Sequence, residues 1–213
     1  MRLPAKRPLT YFITAGELTD GDFALQRPSV EENVRAAVEA GVSMVQVREK
    51  RLSARNIFDL AAALAKITRN SDTRLLINDR ADVAKAAGAD GVHLTTRSLS
   101  TSLIRRMFGE EFLIGVSTHS VEEIRSAIDS KADFAVFGPV FAVPHKGEPV
   151  GVKVLDDVCT EFGSFPIIAI GGIDKTNFSP VIETKAAGFA AIRAFNDIGS
   201  MRQMLDKIRM VKL

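Results

Sequence analysis

The sequence predicts an α/β fold, a single-domain (βα)8 or TIM barrel that covers residues 1–213. Eight short apolar runs alternate with helical segments along the chain, and repeated strand–helix units of this kind build a parallel sheet. Eight strands close such a sheet into a barrel, which needs about 200 residues or more. Three Ala-Gly pairs, at 40–41, 87–88 and 187–188, each precede a strand, where glycine can end a helix in the left-handed conformation.

The strands are predicted where apolar residues form short runs. In chain order these runs are 9–13, 42–47, 75–77, 91–94, 112–116, 134–137, 166–170 and 189–192. Between the sixth and seventh runs lies a segment with Gly and Pro, 138–151, which is too long for a plain connection. We therefore expect this segment to form a lid or a binding loop.

Serine residues mark the predicted helix starts, because a serine side chain can accept a hydrogen bond from a free backbone N–H of the first turn. The predicted caps are Ser29, Ser53, Ser100 and Ser120. The first and last of these precede a glutamate by three residues, which is the spacing of a capping box. The first helix is then expected to end at Ala40, and the last helix to bury Met201, Leu205 and Ile208.

Composition excludes several classes of protein. The net charge is +2, tryptophan is absent, and no dense Lys/Arg stripe suggests a nucleic-acid surface. The only cysteine, Cys159, excludes an internal disulfide and a cysteine-based metal site. No apolar run has membrane-spanning length, and the basic start at Arg2, Lys6 and Arg7 precedes no apolar core, so no signal peptide is predicted. We expect a cytoplasmic protein.

A row of polar residues at the end of the second strand predicts a binding site. Side chains alternate between the faces of a strand, so Gln46, Arg48 and Lys50 should point the same way. The carboxyl ends of barrel strands line the mouth where ligands bind. Two cations and an amide there suit an anion, most simply a phosphate or diphosphate. The alternative is a solvated strand edge.

Other polar residues follow the later strands and should gather on the same rim. They are Asn78, Asp79, His93, Ser117, His119, His145, Lys146, Gly171, Gly172 and Arg193. The paired glycines let backbone N–H groups approach an anion, which predicts a second anion site distinct from the one beside Arg48. Structural alternatives stand beside these roles: His93 suits a hydrogen-bonded core histidine, and Asp79 could be only a helix cap.

Six segments resemble, in order and spacing, the serial motifs of the thiamine phosphate synthase family, which includes the thiazole tautomerases. They are QVREK at 46–50, LINDR at 76–80, GADGVHL at 88–94, GVSTHS at 115–120, FGPVF at 137–141 and AIGGI at 169–173. The resemblance implies a thiamine-biosynthesis enzyme. Synthases couple a hydroxymethylpyrimidine diphosphate to a thiazole phosphate with magnesium, whereas tautomerases isomerise a thiazole carboxylate phosphate without metal.

The resemblance also implies roles for individual residues. Four would hold the diphosphate or its equivalent, namely Gln46, Arg48, Lys50 and Asn78. Phosphate contacts would come from Ser117 and Lys146, and the thiazole phosphate would lie on Gly171, Gly172 and the backbone of Ile192 and Arg193. Asp79 would be a magnesium ligand. His119 lies where tautomerases have their acid–base histidine, although synthases also carry a histidine there.

The sequence departs from the synthase pattern after the fourth strand. Synthases carry a Gly-Gln-Glu-Asp type loop there, whereas this chain has Thr95-Thr96-Arg97-Ser98, so Ser98 stands at the position of the second magnesium ligand. Val143 and His145 replace expected threonines, and Arg193 replaces a serine. Magnesium relies on hard carboxylate oxygens, so these departures favour a metal-independent, tautomerase-like isomerase.

Two alternatives remain open from the sequence. One is a magnesium-dependent thiamine phosphate synthase, and the other is a barrel that binds a phosphorylated ligand without turnover, as a regulatory module. In the tautomerase-like interpretation no cofactor is expected, and His119 would move the proton, unless it only caps the fifth helix or bonds the nearby loop. The expected partners are small molecules, a thiazole phosphate and in a synthase also the pyrimidine diphosphate, with neither nucleic acid nor membrane. A homo-oligomer is left open.

Overall fold

A computed structural model describes residues 3–5 and 8–210. Its eight parallel strands form a closed barrel in which each strand pairs with its neighbours in chain order and β8 pairs with β1. The strands are β1 Leu9–Ile13, β2 Met44–Val47, β3 Arg74–Asn78, β4 Gly91–Leu94, β5 Leu113–Thr118, β6 Phe134–Phe137, β7 Ile167–Ala169 and β8 Gly188–Ala191. The predicted (βα)8 barrel is confirmed. The basic start at Arg2, Lys6 and Arg7 lies outside the described residues.

Helices follow the strands and cover the outside of the barrel. They are α1 Phe23–Glu39, α2 Ala54–Thr68, α3 Ala81–Ala87, α4 Thr101–Phe108, α5 Val121–Asp129, α6 Gly151–Phe162, α7 Ser179–Ile182, α8 Arg193–Asn196 and α9 Ile198–Met210. Met201, Leu205 and Ile208 of α9 are buried as predicted. Within the described part of the chain, no helix is both long and apolar enough to cross a membrane.

Three of the four predicted serine caps are confirmed. The side chains of Ser53, Ser100 and Ser120 each accept a hydrogen bond from a backbone N–H in the first turn of α2, α4 and α5. The cap predicted at Ser29 is wrong, because α1 already begins at Phe23, six residues before Ser29. Phe23 is buried, and the packing of its ring outweighs the intrahelical hydrogen bond that Pro28 cannot make.

Two of the three Ala-Gly pairs have the predicted conformation. Gly41 and Gly88 follow α1 and α3 with φ of 74° and 76°, in the left-handed region. Gly188 does not end a helix; it is the first residue of β8. A Cβ at this position would lie 1.9 Å from the carbonyl oxygen of Leu9. The glycine there permits close pairing of β8 with β1.

Apolar side chains fill both the inside of the barrel and the layer between strands and helices. Inside, Tyr11, Met44, Leu76 and Phe134 belong to one buried cluster. In the outer layer, Cys159 of α6 is buried and free, and burial raises the pKa of its thiol to about 12. Because all strands are parallel, their carboxyl ends meet on one rim, which brings the polar residues after each strand together.

Candidate active site

A cavity of about 990 Å³ opens at the carboxyl rim. It is lined by most of the residues for which the sequence predicts a role: Gln46, Arg48, Lys50, Asn78, Ser117, His119, Lys146, Gly171, Gly172, Ile192 and Arg193. The lining also contains Arg97 from the loop after β4. Asp79 and Ser98 lie beside this lining and hydrogen-bond to each other. The structure therefore places these residues together on one rim, whereas His145 is not part of the cavity lining.

The end of β2 places one amide and two cations on the cavity side. Gln46 is 1% exposed, and its Nε2 donates to Oδ1 of Asn78 at 2.9 Å. Its Oε1 is buried and has no hydrogen-bond partner among the described residues. Buried polar atoms are normally paired, so this oxygen is an acceptor that a ligand can use. Arg48 and Lys50 follow on the same side and line the cavity.

Glu49 points to the opposite side of the strand, and its role was not predicted. The carboxylate is 2% exposed and accepts from the backbone N–H groups of Gly16 and Leu18 at 3.1 and 3.0 Å. It thereby holds the loop after β1 against the end of β2. Side chains alternate between the two sides of a strand, so the sequence could have indicated that Glu49 points away from Arg48 and Lys50.

The cavity mouth is strongly cationic. The pKa of Lys50 is lowered chiefly by the charge of Arg48, then by burial and by the charges of Lys146 and Arg97. Asp79 opposes this shift. Side chains that follow β2, β4 and β6 therefore act on one region of space. Such a concentration of positive charge favours a polyanionic ligand.

Asp79 is held by neutral donors. Its Oδ2 accepts from Nδ2 of Asn78 at 2.7 Å, and its Oδ1 accepts from the hydroxyls of Thr95, at 3.2 Å, and Ser98. It is not the helix cap considered from the sequence, because Arg80 occupies the N-cap position of α3. The described residues contain no group of three or more His, Cys, Asp or Glu that could hold a metal ion. This donor set does not fit the two-carboxylate magnesium site that the resemblance implies.

His93 is a buried residue of the cavity lining and bridges two strands. It is 2% exposed, with Nδ1 3.3 Å from the hydroxyl of Tyr11 and Nε2 2.9 Å from Oγ of Ser117. Burial lowers the pKa of His93 to about 4, so the ring is neutral near pH 7. The structure thus agrees with a hydrogen-bonded core histidine. Tyr11 was not singled out in the sequence, because its partner is 82 positions away.

His119 lines the cavity after β5. Its Nδ1 donates to the carbonyl oxygen of Gly138 at 2.7 Å, and its backbone N–H donates to Oε2 of Glu123 at 2.6 Å. A carbonyl only accepts, so the neutral ring carries its proton on Nδ1 and leaves the Nε2 lone pair free. Ser120, and not His119, caps α5. A free imidazole nitrogen beside a ligand cavity can accept or return a proton.

The two glycines after β7 form the other end of the cavity. Gly171 and Gly172 have φ of 102° and 65°, and a Cβ at Gly171 would lie 2.5 Å from Cβ of Pro139. The backbone N–H of Phe141 donates to the carbonyl oxygen of Gly171 at 3.0 Å, which ties the start of the 138–151 loop to this turn. Arg193, the first residue of α8, lines the same end.

Three residues just beyond the glycines were missed in the sequence. Asp174, Lys175 and Thr176 also line the cavity. Asp174 accepts from the backbone N–H and the hydroxyl of Thr176 at 2.8 and 2.6 Å, so this turn is internally hydrogen-bonded. They follow closely after a glycine pair that ends a strand, and this position could have indicated that they line the cavity.

The fold and the cavity lining define a (βα)8-barrel protein with a cation-rich pocket on its carboxyl rim. The family model described as "Thiamine monophosphate synthase" matches residues 10–195. The thiamine-phosphate synthase of Syntrophomonas wolfei is 38% identical over 190 residues, which cover 88% of this chain and 90% of that protein. The chain belongs to the thiamine monophosphate synthase family, and it is an enzyme of thiamine biosynthesis.

Further similar proteins agree with this family. The thiamine-phosphate synthase of Clostridium novyi is 38% identical over 180 residues, covering 83% of this chain and 87% of that protein. The solved structure of thiamine phosphate pyrophosphorylase from Pyrococcus furiosus superimposes with a TM-score of 0.81 and 29% identity, covering 96% of this chain and 97% of that one. These names favour the synthase alternative over the tautomerase-like interpretation.

Proposed function

We propose that this protein is a thiamine phosphate synthase that couples hydroxymethylpyrimidine diphosphate to a thiazole phosphate and releases pyrophosphate. The observation that carries the proposal is that one cavity has a cation-rich end and an end formed by two glycines, each suited to an anion. Arg48, Lys50 and Lys146 lie toward one end, and Gly171 with Gly172 form the other. Two phosphorylated substrates require two such ends, and the names of the relatives supply the substrate class.

The cationic end would stabilise the leaving group. In the coupling, the bond between the pyrimidine methylene carbon and the diphosphate oxygen breaks, and its electron pair leaves with the diphosphate. A nitrogen lone pair of the thiazole forms the new bond to that carbon. Positive side chains already in place at Arg48, Lys50 and Lys146 would stabilise the charge that develops on the diphosphate oxygens.

Gln46 suits the pyrimidine better than the diphosphate. Its free atom is the acceptor Oε1, and a diphosphate oxygen is also an acceptor, so these two atoms cannot share a hydrogen bond. An N–H group of the pyrimidine can donate to Oε1. The hydroxyl of Ser117 and the side chain of Asn78 remain as neutral partners for the diphosphate.

The experiment that tests this proposal supplies both substrates and follows thiamine phosphate and pyrophosphate by mass spectrometry. We expect both products in equal amounts, with neither formed when one substrate is omitted. The absence of thiamine phosphate with both substrates present, in buffers with and without magnesium, would refute synthase activity.

One observation favours a second candidate, a tautomerase-like isomerisation. Arg97 adds a cation beside the cavity where the family pattern has an acid, and a cation suits a substrate carboxylate. His119 offers a free Nε2 for moving a proton. The same preparation should therefore be given a thiazole carboxylate phosphate, and isomerisation without coupling would select this candidate. Binding of either ligand without any product would select the regulatory module.

A further inference from the structure

We infer that the diphosphate is neutralised in this protein by four side-chain cations, Arg48, Lys50, Arg97 and Lys146, so that the cavity binds pyrophosphate without a divalent metal. The identity of the ligand rests on the proposed function. The inference itself concerns the charge of the site, and it departs from the magnesium dependence that the family resemblance implies.

The four cations come from separate elements but face one cavity. Arg48 and Lys50 follow β2, Arg97 lies in the loop after β4, and Lys146 lies in the loop after β6. Each of the other three lowers the pKa of Lys50, which shows that their fields overlap there. Asp79 is the carboxylate whose charge opposes this shift at Lys50, while Asp174 and Asp197 line the cavity elsewhere. A diphosphate group carries several negative charges and fits this group of cations.

The four cations also lack a close ion-pair partner in the part of the chain that the structure describes. Over residues 3–5 and 8–210, none of them lies within salt-bridge distance of a carboxylate. Some cations outside the cavity do have such a partner, as in Arg80 with Asp82 at 2.7 Å and Arg105 with Asp133 at 2.7 Å. Like charges gathered without partners repel one another, and an anionic ligand relieves that repulsion.

Asp79 is poorly placed to act as the core of a metal site. Both carboxylate oxygens already accept hydrogen bonds, from Asn78, Thr95 and Ser98. A magnesium ion would compete with these donors for the carboxylate lone pairs, next to a loop that carries the cation Arg97. Magnesium on phosphate ligands is usually held by one or two carboxylates, and here the one carboxylate that acts on Lys50 already accepts three hydrogen bonds.

Titration calorimetry of the unmodified protein with pyrophosphate tests the inference, once in EDTA and once in excess magnesium. We expect the dissociation constant in EDTA to lie within about threefold of the value in magnesium. Arg97→Ala should weaken binding in EDTA by about tenfold or more, because a charge-assisted contact is lost. The matched control is Arg106→Ala, which removes an exposed arginine of α4 that does not line the cavity and should leave the affinity unchanged.

A double variant tests whether a magnesium requirement can be introduced. Arg97→Glu with Ser98→Asp removes a cation and adds carboxylates beside Asp79, so pyrophosphate binding should become weak in EDTA and recover with magnesium. Binding by the unmodified protein that is lost in EDTA, or absent in both buffers, would overturn the inference. If the protein forms thiamine phosphate but its pyrophosphate binding is lost in EDTA, the proposed function stands and this inference fails. If the protein binds pyrophosphate without metal but forms no thiamine phosphate, this inference stands and the proposed function fails.

Discussion

Nε2 of His93 lies 2.9 Å from Oγ of Ser117, while Nδ1 of the same ring lies 3.3 Å from the hydroxyl of Tyr11. Burial raises the pKa of Tyr11, so its hydroxyl keeps its proton. That proton is buried, and His93 is its hydrogen-bond partner, so leaving it unbonded would cost about 1–3 kcal/mol. The hydroxyl therefore donates to Nδ1, and Nε2 carries the ring proton and donates to Ser117.

This arrangement predicts the tautomer of His93 and the role of Ser117. With Nε2–H donating to Oγ, the proton of the Ser117 hydroxyl is free to point into the cavity toward an anion. Long-range proton–nitrogen spectra near pH 7 should show His93 protonated at Nε2, and Ser117→Ala should weaken pyrophosphate binding by about tenfold or more. A ring protonated at Nδ1 would contradict the assignment.

The buried His93 also predicts a dependence of stability on pH. Its pKa falls from 6.5 to about 4 on folding, so between these values the unfolded chain binds a proton that the folded chain does not. This contribution to stability is present above pH 6.5 and is lost as the pH falls toward 4, by about 3 kcal/mol in total.

Chemical denaturation of the unmodified protein and of His93→Gln, at pH 7.5 and pH 5, isolates this effect from the titration of carboxylates. The unmodified protein should lose more unfolding free energy between the two values than the variant does. Equal losses in the two proteins would show that His93 does not titrate as described.

Arg48 is expected to contribute directly to anion binding. Its side chain lines the cavity, and its backbone N–H donates to Oγ1 of Thr14 at 2.9 Å, which fixes the strand end. Arg48→Ala should weaken pyrophosphate binding by about 1.5–3 kcal/mol, the range for a lost charged hydrogen bond. Calorimetry measures this, with Arg106→Ala as the control. Equal affinities of Arg48→Ala and the unmodified protein would remove Arg48 from the binding site.

His119→Asn tests whether His119 moves the proton in the candidate isomerisation. If the protein isomerises a thiazole carboxylate phosphate through His119, the variant should lose about 10²–10⁴-fold in rate while ligand affinity stays within about tenfold. Steady-state kinetics and calorimetry on the same preparation measure both quantities. An Asn variant that isomerises as fast as the parent would exclude His119 from proton transfer.

Features set by local periodicity could be predicted from the sequence. The shared side of Gln46, Arg48 and Lys50 follows from the two-residue repeat of a strand, and the caps at Ser53 and Ser100 need only the first helical turn. Features set by distant packing could not. The early start of α1 depends on where the ring of Phe23 packs. The need for glycine at position 188 depends on its close approach to β1.

The candidate site shows the same division. Its composition followed from the residues after each strand, because parallel strands of a barrel end on one rim. The contact of Ser98 with Asp79 joins loops after β3 and β4, and the chain from Tyr11 through His93 to Ser117 crosses three strands. No spacing in the sequence encodes those distances.

We propose that one cavity holds two anionic ligands at the same time. Calorimetry tests it by titrating pyrophosphate into protein saturated with a thiazole phosphate, and then in the reverse order. Each ligand should bind in both experiments, with an affinity within about threefold of its value alone. If saturation with either ligand abolishes binding of the other, the cavity has a single anion site and cannot hold both substrates of a coupling reaction.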